Sequence, residues 1–185
     1  MRGLVVGMLT IALVCLPTKA YFHVIAPSYL AQSVSVSWGP FGPLPTTADW
    51  IRGVVVLPDA SVDGCTPVDA LSATVGAADW HPITRHAGSG AWGAVVLLPR
   101  GGCTFAAKGR NFQRSVTADG YPVVAVAVHN TAPEDDDVVF ITDDGEGNRN
   151  RIPTLHLKHS DTLLLREHLR VQRDVPVIVG LGSEL

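Results

Sequence analysis

Short apolar runs separated by glycine, proline and acidic residues give the chain a strand-and-loop rhythm rather than that of a helical bundle. Ile51 to Leu57, Ala94 to Leu98 and Val123 to Val128 are strand-length apolar runs, and their near-continuous hydrophobicity predicts central strands covered on both faces. Val24 to Ile25, Val34 to Trp38, Arg151 to Leu157 and Pro176 to Val179 predict further strands. The segment Pro133 to Asn150 is acidic and aperiodic, and reads as an exposed loop around a short strand Val138 to Ile141. Gly39 to Pro45 is too rigid and too poor in donors for regular structure.

Two segments carry helical spacing. Thr104 can cap a helix in which Phe105, Gly109, Phe112 and Val116 form one apolar face, with Gly109 allowing a close approach to the sheet. Ser160 or Asp161 can cap a second helix ending near Arg170, with Leu164, Leu165, His168 and Leu169 along its apolar face.

The first twenty residues follow a different logic. Arg2, an apolar run from Leu4 to Leu16 and the small residues Thr18 and Ala20 predict a secretory signal peptide over 1–20, cut before Tyr21. The run is short of the ~20 apolar residues that span a bilayer, and no later run approaches that length, so the mature chain is expected to have no transmembrane segment. Of three cysteines, Cys15 falls in this leader. Cys65 and Cys103 are left as an even pair in an oxidising compartment, where a disulfide is the default, with two buried thiols as the alternative.

The 185 residues suit one domain with a sizeable core, placed at 21–185 and centred on about 36–180. The net charge of −3 is mild and the basic residues are scattered, which argues against nucleic acid as a partner.

The sequence offers little catalytic patterning. Gly88-Ser89-Gly90 lacks the spacing of a nucleophile elbow, and the separation of Cys65 from Cys103 lacks the short pairs of a zinc site. His156 and His159 point to opposite faces unless the strand ends between them. The cluster Glu134 to Asp137 with Asp143, Asp144 and Glu146 does not follow a calcium-loop spacing. No cofactor, no metal and no catalytic residue is assigned, and the chain is expected not to be an enzyme. Among four tryptophans, Trp80 and Trp92 flank a loop rich in glycine and histidine and are the candidate surface pair.

One stretch is more specific. Arg100-Gly101-Gly102-Cys103-Thr104-Phe105, with Lys108 following, resembles the central signature of protease-associated (PA) domains, in which an apolar strand runs into Arg-Gly-x-Cys-x-Phe and a lysine-bearing helix. Asn111-Phe112-Gln113, the strand ending in His129-Asn130, and Ile152-Pro153-Thr154 resemble later elements in the family's order. Phe41-Gly42-Pro43-Leu44-Pro45, Ile51-Arg52-Gly53 and Gly64-Cys65-Thr66-Pro67 resemble upstream elements of the lumenal domains of goliath-type PA–transmembrane–RING ubiquitin ligases. The resemblance covers about Val36 to Leu169. It implies a β-rich α/β fold, a twisted, partly closed sheet with flanking helices, and a non-catalytic role in recognising a protein or peptide in the secretory pathway, secreted or lumenal. The alternative is the N-terminal lumenal part of a membrane-bound PA–RING ligase or a vacuolar sorting receptor. Recognition loops on a fixed sheet are the expected contact surface: Trp80 and Trp92 on one, and His129, Asn130, Asp135, Asp136 and Asp137 on the other, favouring a ligand of basic or mixed character.

Overall fold

The computed structural model describes residues 19–44, 51–73, 92–137, 139, 141–172 and 174–184. Seven of its strands close into a barrel: β1 (Lys19–Ala26), β2 (Gln32–Trp38), β3 (Ile51–Val56), β5 (Trp92–Pro99), β7 (Val123–His129), β8 (Thr154–Leu157) and β9 (Val177–Glu184). Around the ring the order is β1, β2, β8, β7, β5, β3, β9, with β9 returning to β1. The sheet expected to be partly closed is therefore closed, because β9 pairs antiparallel with both β1 and β3 and leaves neither edge open. A two-stranded parallel pair, β4 (Ala70–Leu71) with β6 (Val116–Thr117), lies outside the ring.

The apolar runs become the buried strands for the reason their sequence suggests. β3, β5, β7 and β8 run parallel to one another and are covered on both faces. Alternation along each strand sorts side chains into two cores. Inside the barrel, Phe22, Val55, Val95, Leu97, Ala127, Leu155, Val179 and Leu181 meet, with Val34, Val36 and Trp38 contributed by β2. Outside it, Val54, Val96, Leu98, Val126 and Val128 pack beneath helix α1 (Phe105–Phe112), whose Phe112 is fully buried. At about 25 cal/mol per Å² of apolar surface, these two layers are the main stabilising contribution.

α1 follows its sequence signals closely. Thr104 Oγ1 accepts from Ala107 N at 3.1 Å, and a Cβ on Gly109 would collide with Thr154 Oγ1 and Asn150 Nδ2, so glycine is required for the helix to lie this close to β8. Val116, expected on the same helical face, instead belongs to β6. The helix stops at Phe112 and Ser115 turns back, its hydroxyl donating to Val68 O.

α2 (His159–Val171) departs more. Neither Ser160 nor Asp161 caps it; the helix begins at His159, behind Lys158. Its buried residues are Thr162, Leu165 and His168, whereas Leu164 points outward and is 65% exposed. The run Leu163-Leu164-Leu165 offers three registers, and the barrel interior accepts only that of Leu165, with Leu169 one turn on. Of the strand expected at 138–141, Val139 and Ile141 are described and neither is in a strand. Ile141 instead packs with Phe41 and Ala106 under the start of α1. The expected mature start is Tyr21; Ala20 is buried in β1, opposite Val36 and Ser183, while residues 1–18 lie outside the described residues.

Candidate functional site

Parallel pairing places three strand ends side by side. Pro99 of β5 is opposite His129 of β7, and His129 is opposite Leu157 of β8, so the residues that follow, Arg100, Asn130 and Lys158, emerge at one level. The ladder continues one step further, with Arg100 N donating to His129 O at 2.9 Å and Asn130 N to Leu157 O at 3.2 Å. In sheets with parallel strands this carboxyl end is where ligands gather.

Asn130, fully buried, is the centre of a polar knot there. Its Oδ1 accepts from Arg100 Nη1 at 3.2 Å and from His156 Nε2 at 3.0 Å, which assigns the Nε2–H tautomer to His156 through the hydrogen-bond network. Its Nδ2 reaches Asp137 O at 3.5 Å. Its backbone oxygen accepts from His129 Nδ1 at 2.8 Å and from His159 Nδ1 at 3.3 Å. The strand does end between His156 and His159: one approaches Asn130 from β8 and the other from the first residue of α2, so both converge on a residue 26 and 29 positions away in the chain. The Phe105 ring meets His156 edge-on at 5.9 Å and encloses it from the α1 side.

Both buried imidazoles are neutral at physiological pH. Burial pushes His156 down to about 4, reinforced by the positive charge of Arg100. Burial likewise takes His129 down to about 4, outweighing its hydrogen bond to Asn130 O, with Arg166, His159 and Arg170 adding repulsion. The arrangement ties β5, β7, β8 and α2 together. Among the described residues, no three His, Cys, Asp or Glu side chains are grouped to hold a metal.

Beside the knot, the turn after β5 is stapled. Cys65 and Cys103 are disulfide-bonded with Cα atoms 5.6 Å apart. Gly102, at φ +79°, lets the backbone pass Cys65 Sγ without a side chain in the way. Lys108 is fully buried; its Nζ donates to Asp63 O and lies 3.8 Å from Cys65 Sγ. Burial lowers its affinity for the proton and the nearby Asp63 partly restores it.

The residues expected to meet a ligand are therefore distributed unevenly. His129 and Asn130 are interior, because the strand end they occupy is covered by α2, and neither presents a side chain to solvent. Asp136 is occupied as well: its Oδ1 accepts from Ser160 N at 3.0 Å and these Ser160 bonds hold its carboxyl below the usual range, so it caps α2 from another loop. Asp137 is exposed, and Asp135 closes the short 3-10 turn Pro133–Asp135. Trp92 is the first residue of β5, opposite Arg52, and is partly buried against the outer core. Trp80 lies outside the described residues. Further along the acidic loop, Asp144 makes a two-pronged ion pair with Arg110, Nη1 to Oδ1 at 3.0 Å and Nη2 to Oδ2 at 2.6 Å, and Asp143 Oδ1 accepts from Gly145 N and Gly147 N. Much of the loop's charge is thus used internally. Sequence reading passed over Arg100, Arg110 and His156 as site-builders; the signal present was the strand-terminal position of Asn130, which marks where neighbouring strand ends meet.

No family model and no curated protein matches this chain. Solved structures do resemble it: a peptidase M28 precursor from Shewanella amazonensis SB2B, with TM-score 0.51 and 18% identity over 90% of this chain and 35% of that one; an aminopeptidase from Aneurinibacillus sp. strain AM-1, with TM-score 0.49 and 12% identity over 90% and 30%; and BSAP, a zinc aminopeptidase from Bacillus subtilis, with TM-score 0.46 and 16% identity over 91% and 31%. The chain thus spans about a third of the length of these proteins. At 18% identity the likeness to the Shewanella structure is one of fold, consistent with a PA-like fold and short of the goliath-type assignment.

Proposed function

We propose that this chain is a non-catalytic recognition domain of the secretory pathway, secreted or lumenal, that binds a polypeptide partner through loops at the carboxyl ends of its parallel strands. The observation that carries the reading is the commitment of His129 and His156 to Asn130: at this end of the described sheet both imidazoles are buried, neutral and used as braces. What remains for a partner at this end is the exposed part of the acidic loop, chiefly Glu134 and Asp137, on a rigid base. A partner of basic or mixed character suits that surface, and the disulfide fits an oxidising compartment.

A photo-crosslinker introduced in place of Thr131, exposed beside the acidic loop, should label a polypeptide partner in secreted material. Labelling should weaken as salt rises past physiological strength, where the Debye length is about 8 Å. It should also fall in a Glu134→Gln/Asp137→Asn variant that keeps Asp136. Peptide or ester hydrolysis by the pure protein, lost on His156→Gln with the fold intact, would overturn the reading.

A second reading, a goliath-type lumenal domain, draws support from how the resembling motifs assemble. Phe41 packs on Ala106 at α1, and a Cβ on Gly42 (φ +77°) would meet Ile152 O at 2.7 Å, which joins the Phe-Gly element to the Ile-Pro-Thr element. Among the described residues no helix is long and apolar enough to cross a membrane. A transmembrane span and RING encoded downstream in the transcript would favour this reading, and a stop codon directly after Leu185 would remove it.

A further inference from the structure

Among the described residues, no acid forms an ion pair with the arginines along the seam between β7 and α2. His159 opens α2, and Arg166 and Arg170 follow seven and eleven residues later, so at 3.6 residues per turn all three fall within a narrow stripe. That stripe is fixed over the end of β7, because His159 and His129 both hold the backbone oxygen of Asn130. Arg166 is half-buried with its Nε enclosed, and neither it nor Arg170 hydrogen-bonds or ion-pairs with any described residue. Of the acids on or beside this helix, Asp136 accepts from Ser160 N, Asp161 stands by Lys158, and Glu167, exposed, makes no ion pair with a described residue. The charge bearing on Arg166 is that of Arg170, of the same sign.

A guanidinium taken partly out of water without an acceptor is costly, and an anion that restores two of its hydrogen bonds recovers that cost. The planar fork suits an acceptor with two oxygens in one plane, and a second arginine one turn away can close over it. We propose that Arg166 and Arg170, one turn apart on α2, form a binding site for one compact oxyanion, a carboxylate or a phosphate group. The site is separate from the acidic loop and stands or falls independently of the partner-binding role.

The test uses the full mature chain with ¹⁵N-labelled arginine and histidine, titrated with inorganic phosphate, with acetate and with chloride at fixed ionic strength. Phosphate or acetate should shift the Arg166 Nε–H and His129 ring resonances saturably, and the bound anion should move the His129 titration upward from about 4. Tighter binding of acetate identifies the carboxylate source and tighter binding of phosphate the phosphate source. Arg166→Met should weaken binding about tenfold or more and Arg166→Lys, which keeps the charge and loses the fork, several-fold. Glu167→Gln, on an exposed neighbouring position, should not weaken it. Non-saturating shifts, shifts matched by chloride, or equal affinity in Arg166→Lys would overturn the proposal, and the wild-type and lysine arms decide it even if Arg166→Met does not fold.

Discussion

The stapled turn and the Asn130 knot adjoin, yet they solve the burial of polar groups in opposite ways. At the staple a full charge is buried: Lys108 keeps its ammonium near Asp63 and gives its protons to a carbonyl, while the covalent bond between Cys65 and Cys103 holds the acceptors in place. At the knot the buried groups surrender charge, since His129 and His156 are neutral and their geometry rests on hydrogen bonds to one amide side chain and its backbone oxygen. One region is fixed by chain topology and is indifferent to mild acid. The other is a brace made of titratable parts.

The largest effect that separates them is loss of the staple. Cys103→Ser releases a bridge with a sequence separation of 38 and should lower stability by roughly 4 kcal/mol on the chain-entropy account. Urea denaturation of the variant should show this, together with faster amide exchange in α1 than in α2. Equal loosening of both helices would mean that the two regions are one cooperative unit.

Next is the amide at the centre of the knot. Asn130→Ala removes the acceptor shared by Arg100 and His156 and leaves the buried His156 donor unsatisfied, which should cost about 1–3 kcal/mol. Denaturant midpoints should fall without a large change in slope, and the His156 ring resonance should broaden. A loss below 1 kcal/mol would indicate that water replaces the amide.

Acid should then discriminate between the regions. For His129 and His156 the folded value, about 4, lies below the unfolded value near 6.5, so between these limits the unfolded chain binds more protons. Stability is therefore complete above about pH 6.5 and is lost as pH falls towards 4, by an amount on the order of 2 kcal/mol per imidazole at pH 5. Lys108 behaves otherwise: its lowered affinity for the proton costs stability below its folded value, and that cost is relieved as pH rises through that value, the opposite direction to acid loss. Melting curves from pH 7.5 to 4.5 should thus decline in the wild type and flatten in a folded His156→Gln variant. An unchanged slope in that variant would place the acid sensitivity elsewhere.

The comparison also explains how much was legible in the sequence. The strands were readable because their apolar runs need cover on two faces, and α1 because Thr104 and Gly109 each serve a local purpose. The cysteine pair was readable from the even count left outside the expected leader. The knot was not: Arg100, Asn130 and His156 are neighbours only through the parallel register of three strands, a non-local fact that no spacing encodes. For the same reason the cap of α2 was misplaced, since Asp136 reaches Ser160 N from a distant loop. The acidic loop looked uniformly available because nothing in its own sequence announces the Arg110 ion pair.

The smallest expected effect tests where the acidic loop joins the staple side. Thr104 Oγ1 accepts from Ala107 N at 3.1 Å and its hydroxyl donates to Asp144 Oδ2 at 2.8 Å, so one side chain caps α1 and ties it to the loop. Thr104→Ala should cost about 1 kcal/mol for the lost cap. Asp144→Ala should cost about the same or less, since its partner Arg110 sits near the surface and is stabilised mainly by the hydrogen-bonded pair itself. If the cap hydroxyl orients the carboxylate for Arg110, the double variant will lose less than the two single changes together, with a coupling of about 0.5 kcal/mol. Thr104→Ser, which keeps both bonds, should retain both stability and coupling. Strict additivity would show that the loop and the helix cap share a neighbourhood without sharing energy, leaving the disulfide as the dominant restraint on that side of the molecule.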